Sequence, residues 1–156
     1  MIALLSQSKV SVFDEIDLYL VAKHKWHYAN GYARRHNGYG KTCVLMHREI
    51  LKARKGQVVD HINGDKLDNR RCNLRICTIS ENGQNSTLPI NNISGYKGVS
   101  WHKVKNKWIA QVMKEGKQYF LGYFETAQEA AHAYNEGATL LHGEFARINY
   151  NLCQKS

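Results

Sequence analysis

Apolar and polar positions alternate in short runs along the first third of the chain, and dipeptides that favour tight turns separate the runs. Asn30-Gly31 and Asn37-Gly38 divide Trp26–Ala29, Tyr32–Arg34 and Cys43–Met46, which predicts a meander of strands. His47–Ala53 then takes up a helical spacing. Val58-Val59 and Leu74–Cys77 read as two strands on either side of a polar loop that opens at Asp60. Thr78 with Glu81 forms a candidate capping box for a helix running through Asn85. From residue 94 the alternation returns. Val99/Trp101, Trp108/Ala110/Val112 and Tyr119/Leu121 line the inner faces of three strands turned at Asn106 and at Glu115-Gly116. After Phe124 the period changes: Thr126 and Glu129 repeat the capping-box pattern. Ala127, Ala130, Ala131, Tyr134, Ala138 and Leu141 share one helical face, and Gly143 suits the stop.

The fold class expected from this pattern is α+β, in four segments. Residues 1–56 form a strand-rich flank, and 57–86 a strand–loop–strand–helix unit. Residues 87–93 are a polar linker holding Pro89, and 94–151 a three-stranded antiparallel sheet packed on one helix. Strand parity turns Gly98, Ser100, His102, Gln111, Met113, Gln118 and Phe120 outward, away from the inner set. By the same parity Trp101 and Trp108 face the core.

Charge narrows the partner. The formal net charge is +9, spread over both halves: residues 1–93 hold 14 Lys/Arg against 8 Asp/Glu, and residues 94–156 hold 8 against 5. A polyanion is expected, with both halves facing phosphate. Cys43, Cys72, Cys77 and Cys153 form no C-x-x-C pair, which argues against a four-cysteine zinc site or a disulfide framework and for reduced thiols. No stretch approaches the apolar length of a membrane span, so a cytoplasmic protein with neither membrane nor protein partner is expected.

The sharpest chemistry lies in Val58-Val-Asp-His-Ile-Asn-Gly-Asp65, where a carboxylate and an imidazole stand side by side at a strand end. Adjacent strand residues point to opposite sides, so Asp60 and His61 need not share a task. An Asp oxygen and the amide oxygen of Asn82, with waters and a phosphate oxygen, make a hard-oxygen site suited to Mg2+ or another divalent cation such as Mn2+. His61 is able to take a proton from an attacking water near neutral pH. Arg70, Arg71 and Arg75 are candidate phosphate contacts. Asp65, Asp68 and Asn69 read as turn formers, and His47 as structural.

These residues carry a resemblance. His47-Arg48, Asp60-His61-Ile-Asn-Gly-Asp65, Leu67-Asp-Asn-Arg70, Asn73-Leu-Arg75, Glu81-Asn82 and Asn85 resemble the HNH homing-type endonucleases of phages and bacteria. The resemblance implies a ββα-metal finger in which Asp60 and Asn82 bind the metal. It makes His61 the general base and has Asn73 brace the loop that orients His61. The last position of the motif is often His in that family and is Asn82 here, as in its phage branch. Lys25-Trp26, Gly31-Tyr-Ala33 and Leu45-Met-His-Arg48 resemble the flank common in the same branch, which implies packing on the catalytic hairpin and further DNA contacts.

A second resemblance covers residues 94–151. Gly95-Tyr-Lys-Gly-Val-Ser100, Lys107-Trp-Ile-Ala110, Leu121-Gly-Tyr-Phe124, Thr126-Ala127, Glu129-Ala-Ala131, Ala133-Tyr-Asn135 and Gly143–Asn149 are similar to the Apetala-two/ethylene-response-factor DNA-binding domain. The resemblance implies a sheet face in the major groove of double-stranded DNA, with Lys97, Ser100, His102, Gln111, Met113, Gln118 and Phe120 as the contacts. Plant members use several arginines there. This chain does not, so their GC-rich target is not expected to transfer.

Together these readings predict a metal-dependent DNA endonuclease, a hydrolase of homing type with a site preference, acting in a bacterial host cell. The leading rival is a non-catalytic, sequence-specific DNA-binding regulator with a decayed nuclease module, which the intact set Asp60, His61, Asn73 and Asn82 disfavours. A basic RNA-binding or ribosome-associated protein would explain the charge but not the Asp-His loop.

Overall fold

The computed structural model describes residues 1–38, 42–86, 88 and 91–150. The loop tip after Asn37-Gly38, the linker positions 87, 89 (Pro89) and 90, and Cys153 lie outside the described residues. The chain divides into two compact units, Met1–Ile79 and the part from Ser80 onward.

The first unit is built from two hairpins and a meander. Strands β1 (Ile2–Leu4) and β2 (Val10–Val12) pair antiparallel, as do β6 (Val58–His61) and β7 (Leu74–Cys77). The meander joins β3 (His27–Ala29), β4 (Tyr32–Asn37) and β5 (Thr42–Leu45) in that order. Asn30 and Gly31, with φ of 53° and 87°, make the two-residue turn that the Asn-Gly pair predicts. Short helices α1 (Leu18–Val21) and α2 (Met46–Ile50) close the unit around Phe13, Val21, Trp26, Ala33, Met46, Ile50, Val59 and Leu74. Among the described residues of this unit, eight polar side chains lie buried: Ser11, Asp17, His47, Asp60, His61, Asp68, Asn69 and Asn73.

Apart from its first residue, α3 (Ile79–Gln84) belongs to the second unit, where it precedes β8 (Val99–His102), β9 (Lys107–Lys114), β10 (Lys117–Phe124) and α4 (Ala127–His142). The sheet order is β10-β9-β8, all antiparallel. Asn106 and the Glu115-Gly116 pair turn the strands at positive φ, as expected. Thr126 caps α4 in a complete capping box with Glu129, and the helix stops at Gly143. Its small face (Ala130, Ala131, Ala138) and Tyr134 pack on Val99, Ala110 and Val112. The close approach depends on Gly98: with φ at +71°, a Cβ there would lie 2.0 Å from the Tyr134 ring.

One register feature departs from simple alternation. Phe120 faces Gln111, but Gly122 faces Ala110, so Leu121 is an extra residue in β10. The bulge keeps Leu121 on the core side and then reverses parity, turning Tyr123 outward and Phe124 inward.

Candidate active site and nucleic-acid interface

Register places Asp60 opposite Arg75 and His61 opposite Leu74 on the β6–β7 hairpin. Asp60 is buried, and the Arg75 guanidinium donates to its Oδ2 through Nε at 3.0 Å and Nη2 at 2.8 Å. His61, on the other side of the strand, is 5% exposed and lies edge-on to the buried His47, ring centroids 4.9 Å apart. The Tyr32 ring lies 5.3 Å from that of His47, and Lys66 Nζ sits 4.7 Å over it.

His61 is oriented through Asn69. Its Nε2 is 3.2 Å from Asn69 Oδ1. Asn69 Nδ2 donates to Ser11 Oγ at 2.7 Å and to Leu67 O at 3.4 Å, and Ser11 Oγ itself donates to Leu67 O at 2.9 Å. A carbonyl only accepts, so the amide nitrogen belongs on that side and Oδ1 faces the imidazole. Nε2 therefore carries the ring proton, and the lone pair of neutral His61 lies on Nδ1. Burial pushes the His61 pKa down, against the opposing pull of the Asn69 bond and of Asp60, Asp65 and Asp68. The same burial, with His61 and Arg48 nearby, takes His47 down to about 3. Both rings are thus neutral at pH 7.

The loop between the two strands is braced at several points. Asn73 Oδ1 accepts from Asn63 N at 2.9 Å, and Asn73 Nδ2 donates to Asp68 O at 2.8 Å, so one side chain spans the loop. Asp65 and Asn63 close Asx turns within it. Strand β2 adds an outer brace: Val12 N donates to Leu67 O and Asn69 N to Val12 O. Asn69 is the residue that sequence reasoning undervalued. Its sequence signal is that of a turn former, and only the fold brings Ser11 to it across 58 positions.

The three arginines expected at phosphate each hold a carboxylate. Arg70 forks onto Asp68, which holds the Asp68 carboxyl below its ordinary value. Arg71 forks onto the fully buried Asp17, and Arg75 pairs with Asp60. Arg70 and Arg71 remain 49% and 43% exposed at the side chain and so can meet a second anion, whereas Arg75 is 13% exposed.

Among the described residues no three His, Cys, Asp or Glu side chains gather to hold a metal. Of the two expected oxygen donors, Asp60 lies on β6 in the first unit. Asn82 lies in α3 of the second unit. A carboxylate and an amide oxygen are hard donors, of the kind that Mg2+ takes beside waters and phosphate oxygens.

In the second unit, register puts Ser100, His102, Gln111, Met113, Gln118 and Phe120 on one face of the sheet, joined by Ile109 and Tyr123. The bulge at Leu121 hid Tyr123 from simple alternation. Lys97 is placed elsewhere: its Nζ donates to Gln84 O and to Ser86 O, just past the end of α3. Arg147 reaches Asn85 O at 3.3 Å. These two cations satisfy carbonyls that the helix leaves open, and burial pushes the Lys97 pKa down to about 8.

Comparison with known proteins agrees with this geometry. The HNH endonuclease model matches residues 45–84, and the AP2 domain model matches residues 94–143. An uncharacterized HNH endonuclease of Acanthamoeba polyphaga mimivirus is 33% identical over 137 residues, covering 83% of this chain and 69% of that protein. The chain belongs to the HNH endonuclease family. Protein 3.8 of Escherichia phage T7 is 39% identical over 94 residues, 60% of this chain and 77% of that one. The AP2 part of this HNH family member is also similar to plant proteins. Dehydration-responsive element-binding protein 2A of Oryza sativa subsp. indica is 41% identical over 64 residues, 40% of this chain and 23% of its own length. No solved structure matches. Among the described residues, no helix of this HNH protein is long and apolar enough to cross a membrane.

Proposed function

We propose that this protein is a divalent-metal-dependent DNA endonuclease with a site preference, in which the HNH hairpin cuts and the AP2 sheet chooses where. The observation that carries the reading is His61: buried, neutral at physiological pH, and held by Asn69 with its lone pair on Nδ1. A neutral, oriented imidazole is what abstraction of a proton from water requires. Nδ1 takes that proton as the water attacks phosphorus. Asp60 and, by the family resemblance, Asn82 would hold the cation, which would supply charge stabilisation at the phosphate and the leaving oxygen. Asn73 keeps the loop in place and so acts as a positioning residue. Arg70 and Arg71, exposed beside their carboxylates, steer the DNA backbone.

The test is to incubate the full chain with plasmid DNA, with and without magnesium, and to map the ends. Cleavage should require the metal and stop on chelation; undiminished cutting in excess EDTA overturns the metal assignment. His61→Ala should lower the rate by roughly 10²–10⁴ with DNA affinity nearly unchanged. A His61→Ala chain that loses binding as much as cleavage is not missing a base. Binding without any cleavage under all metals favours the regulator reading instead.

A further inference from the structure

The outward face of the β8–β9–β10 sheet has an uncommon composition for a surface that meets a polyanion. Ser100, Ile109 and Tyr123 form one row across the three strands. Gln111 with Phe120 forms the next row, Met113 with Gln118 lies beyond it, and His102 with Lys107 lies at the opposite end. Lys107 is the one charged side chain of this set, and it is bound to Glu125 at 2.6 Å. Met113, Phe120 and Tyr123 are 56%, 53% and 43% exposed. The rings of His102, Tyr123 and Phe120 run edge to face, with centroids 5.4 and 4.9 Å apart. The unpaired cations stand around the face rather than on it: Lys103 and Lys105 in the β8–β9 turn, and Lys117 at the start of β10, are all exposed. That distribution fits phosphate at the rim and base edges at the centre.

The two glutamines sharpen the chemistry. Gln118 Nε2 donates to Gln111 Oε1. The pair therefore presents one amide NH2, from Gln111, and one carbonyl oxygen, from Gln118. In the major groove adenine shows a donor and an acceptor, whereas guanine shows two acceptors and needs two donors. A donor–acceptor pair matches adenine and mismatches guanine. Thymine adds a C5-methyl group, for which exposed thioether and aromatic carbon are suitable neighbours and a guanidinium is not.

We infer that this face reads A·T-rich duplex DNA in the major groove, adenine through the Gln111–Gln118 pair and thymine methyl groups through Met113, Phe120 and Tyr123. The inference rests on the reading above that the sheet is the surface that chooses the site.

The test uses the full chain with EDTA present, so that binding is measured apart from cleavage, and selects bound duplexes from a random pool. A·T-rich sites should be enriched. Replacing thymine by deoxyuridine in a selected site removes the methyl and keeps the pairing; it should weaken binding roughly fourfold per contacted methyl. Phe120→Ala, at an exposed position whose folding circular dichroism can check, should shrink that thymine–uracil difference. Met113→Arg should bring guanine into the selected site. Selection of G·C-rich sites, or affinity indifferent to deoxyuridine, overturns the inference while leaving a DNA-binding nuclease intact. Absence of duplex binding altogether overturns the proposed function as well.

Discussion

The two units bury different things. Around the loop between β6 and β7, the first unit buries Asp17, Ser11 and Asn69 with no measurable exposure, and Asp68, His61 and Asn73 nearly so. Each is held by a named bond, from the Asp17–Arg71 fork to the Asn69–Ser11 contact. The second unit buries alanine, valine and one tyrosine between sheet and helix, and leaves Ser100, His102, Gln111, Gln118, Phe120 and Tyr123 on an open face. A loop that must hold one imidazole in one orientation is built from directional bonds, since apolar contact fixes no tautomer. A sheet proposed to lie in a groove needs only a flat platform, and close small-residue packing behind it supplies that. The ways to break the two units differ accordingly.

The largest effect is expected where close packing joins sheet to helix in the second unit. Gly98→Ala would put a methyl 2.0 Å from the Tyr134 ring and 2.7 Å from Gln111 O, at a φ that L residues resist. Overpacking plus backbone strain should cost about 4 kcal/mol, enough to unfold residues 80 onward on their own. Urea unfolding followed by the fluorescence of Trp101 and Trp108 checks it; an unchanged midpoint would mean that Tyr134 yields the space cheaply.

In the first unit the vulnerable element is a hydrogen bond. Asn73→Ala removes the acceptor of Asn63 N and the donor to Asp68 O, leaving two loop groups without their partner. A loss of about 2–3 kcal/mol is expected, with cleavage falling further than the unfolded fraction explains. Equal losses of stability and rate would reduce Asn73 to a structural residue.

Much of this was legible beforehand, for reasons that vary by residue. The strand ends Leu74 and Cys77 and the cap Thr126 follow local rules, and local rules suffice where neighbours in sequence are neighbours in space. Asp60, His61 and Asn73 stood out as a motif and do share the β6–β7 hairpin and its loop, while Asn82 lies in α3. Asn69 was not, because its partner Ser11 lies on a strand far away in sequence and its own loop explains it without one. Tyr123 was missed because a single bulge residue, Leu121, reverses the alternation on which the outward set was read. Lys97 looked like a groove contact because charge does not reveal that two carbonyls wait within reach.

A pH change separates the units more gently. His47 has a folded pKa of about 3 against 6.5 unfolded, so between these values the unfolded chain binds the extra proton. Stability from this group is complete above pH 6.5 and declines as pH falls, by at most about 1.4 kcal/mol per unit. The window from 6.5 down to about 4.5 lies above the carboxylate range, so the histidine contribution is readable there. His47→Gln should flatten the decline in that window, and the slope that remains includes His142, whose pKa is also lowered by burial. A variant with the wild-type slope would show that His47 is hydrated rather than desolvated.

The smallest effect tests whether the contrast is one of burial or merely of bond type. Thr126 Oγ1 accepts from Glu129 N at 3.2 Å, and Glu129 Oε2 accepts from Thr126 N at 3.1 Å. This is side chain to backbone, as at Asn73, but both bonds are exposed, so water replaces a lost partner. Thr126→Ala should therefore cost about 1 kcal/mol, Thr126→Ser should recover most of it, and DNA site preference should not change. A double-mutant cycle with Glu129→Ala measures the coupling between the two, since the bond from Glu125 N to Glu129 Oε2 is lost equally in both backgrounds. If Thr126→Ala proved as costly as Asn73→Ala, solvent would not be what separates them. The polar core of the catalytic loop would then need another explanation than the dryness of its site.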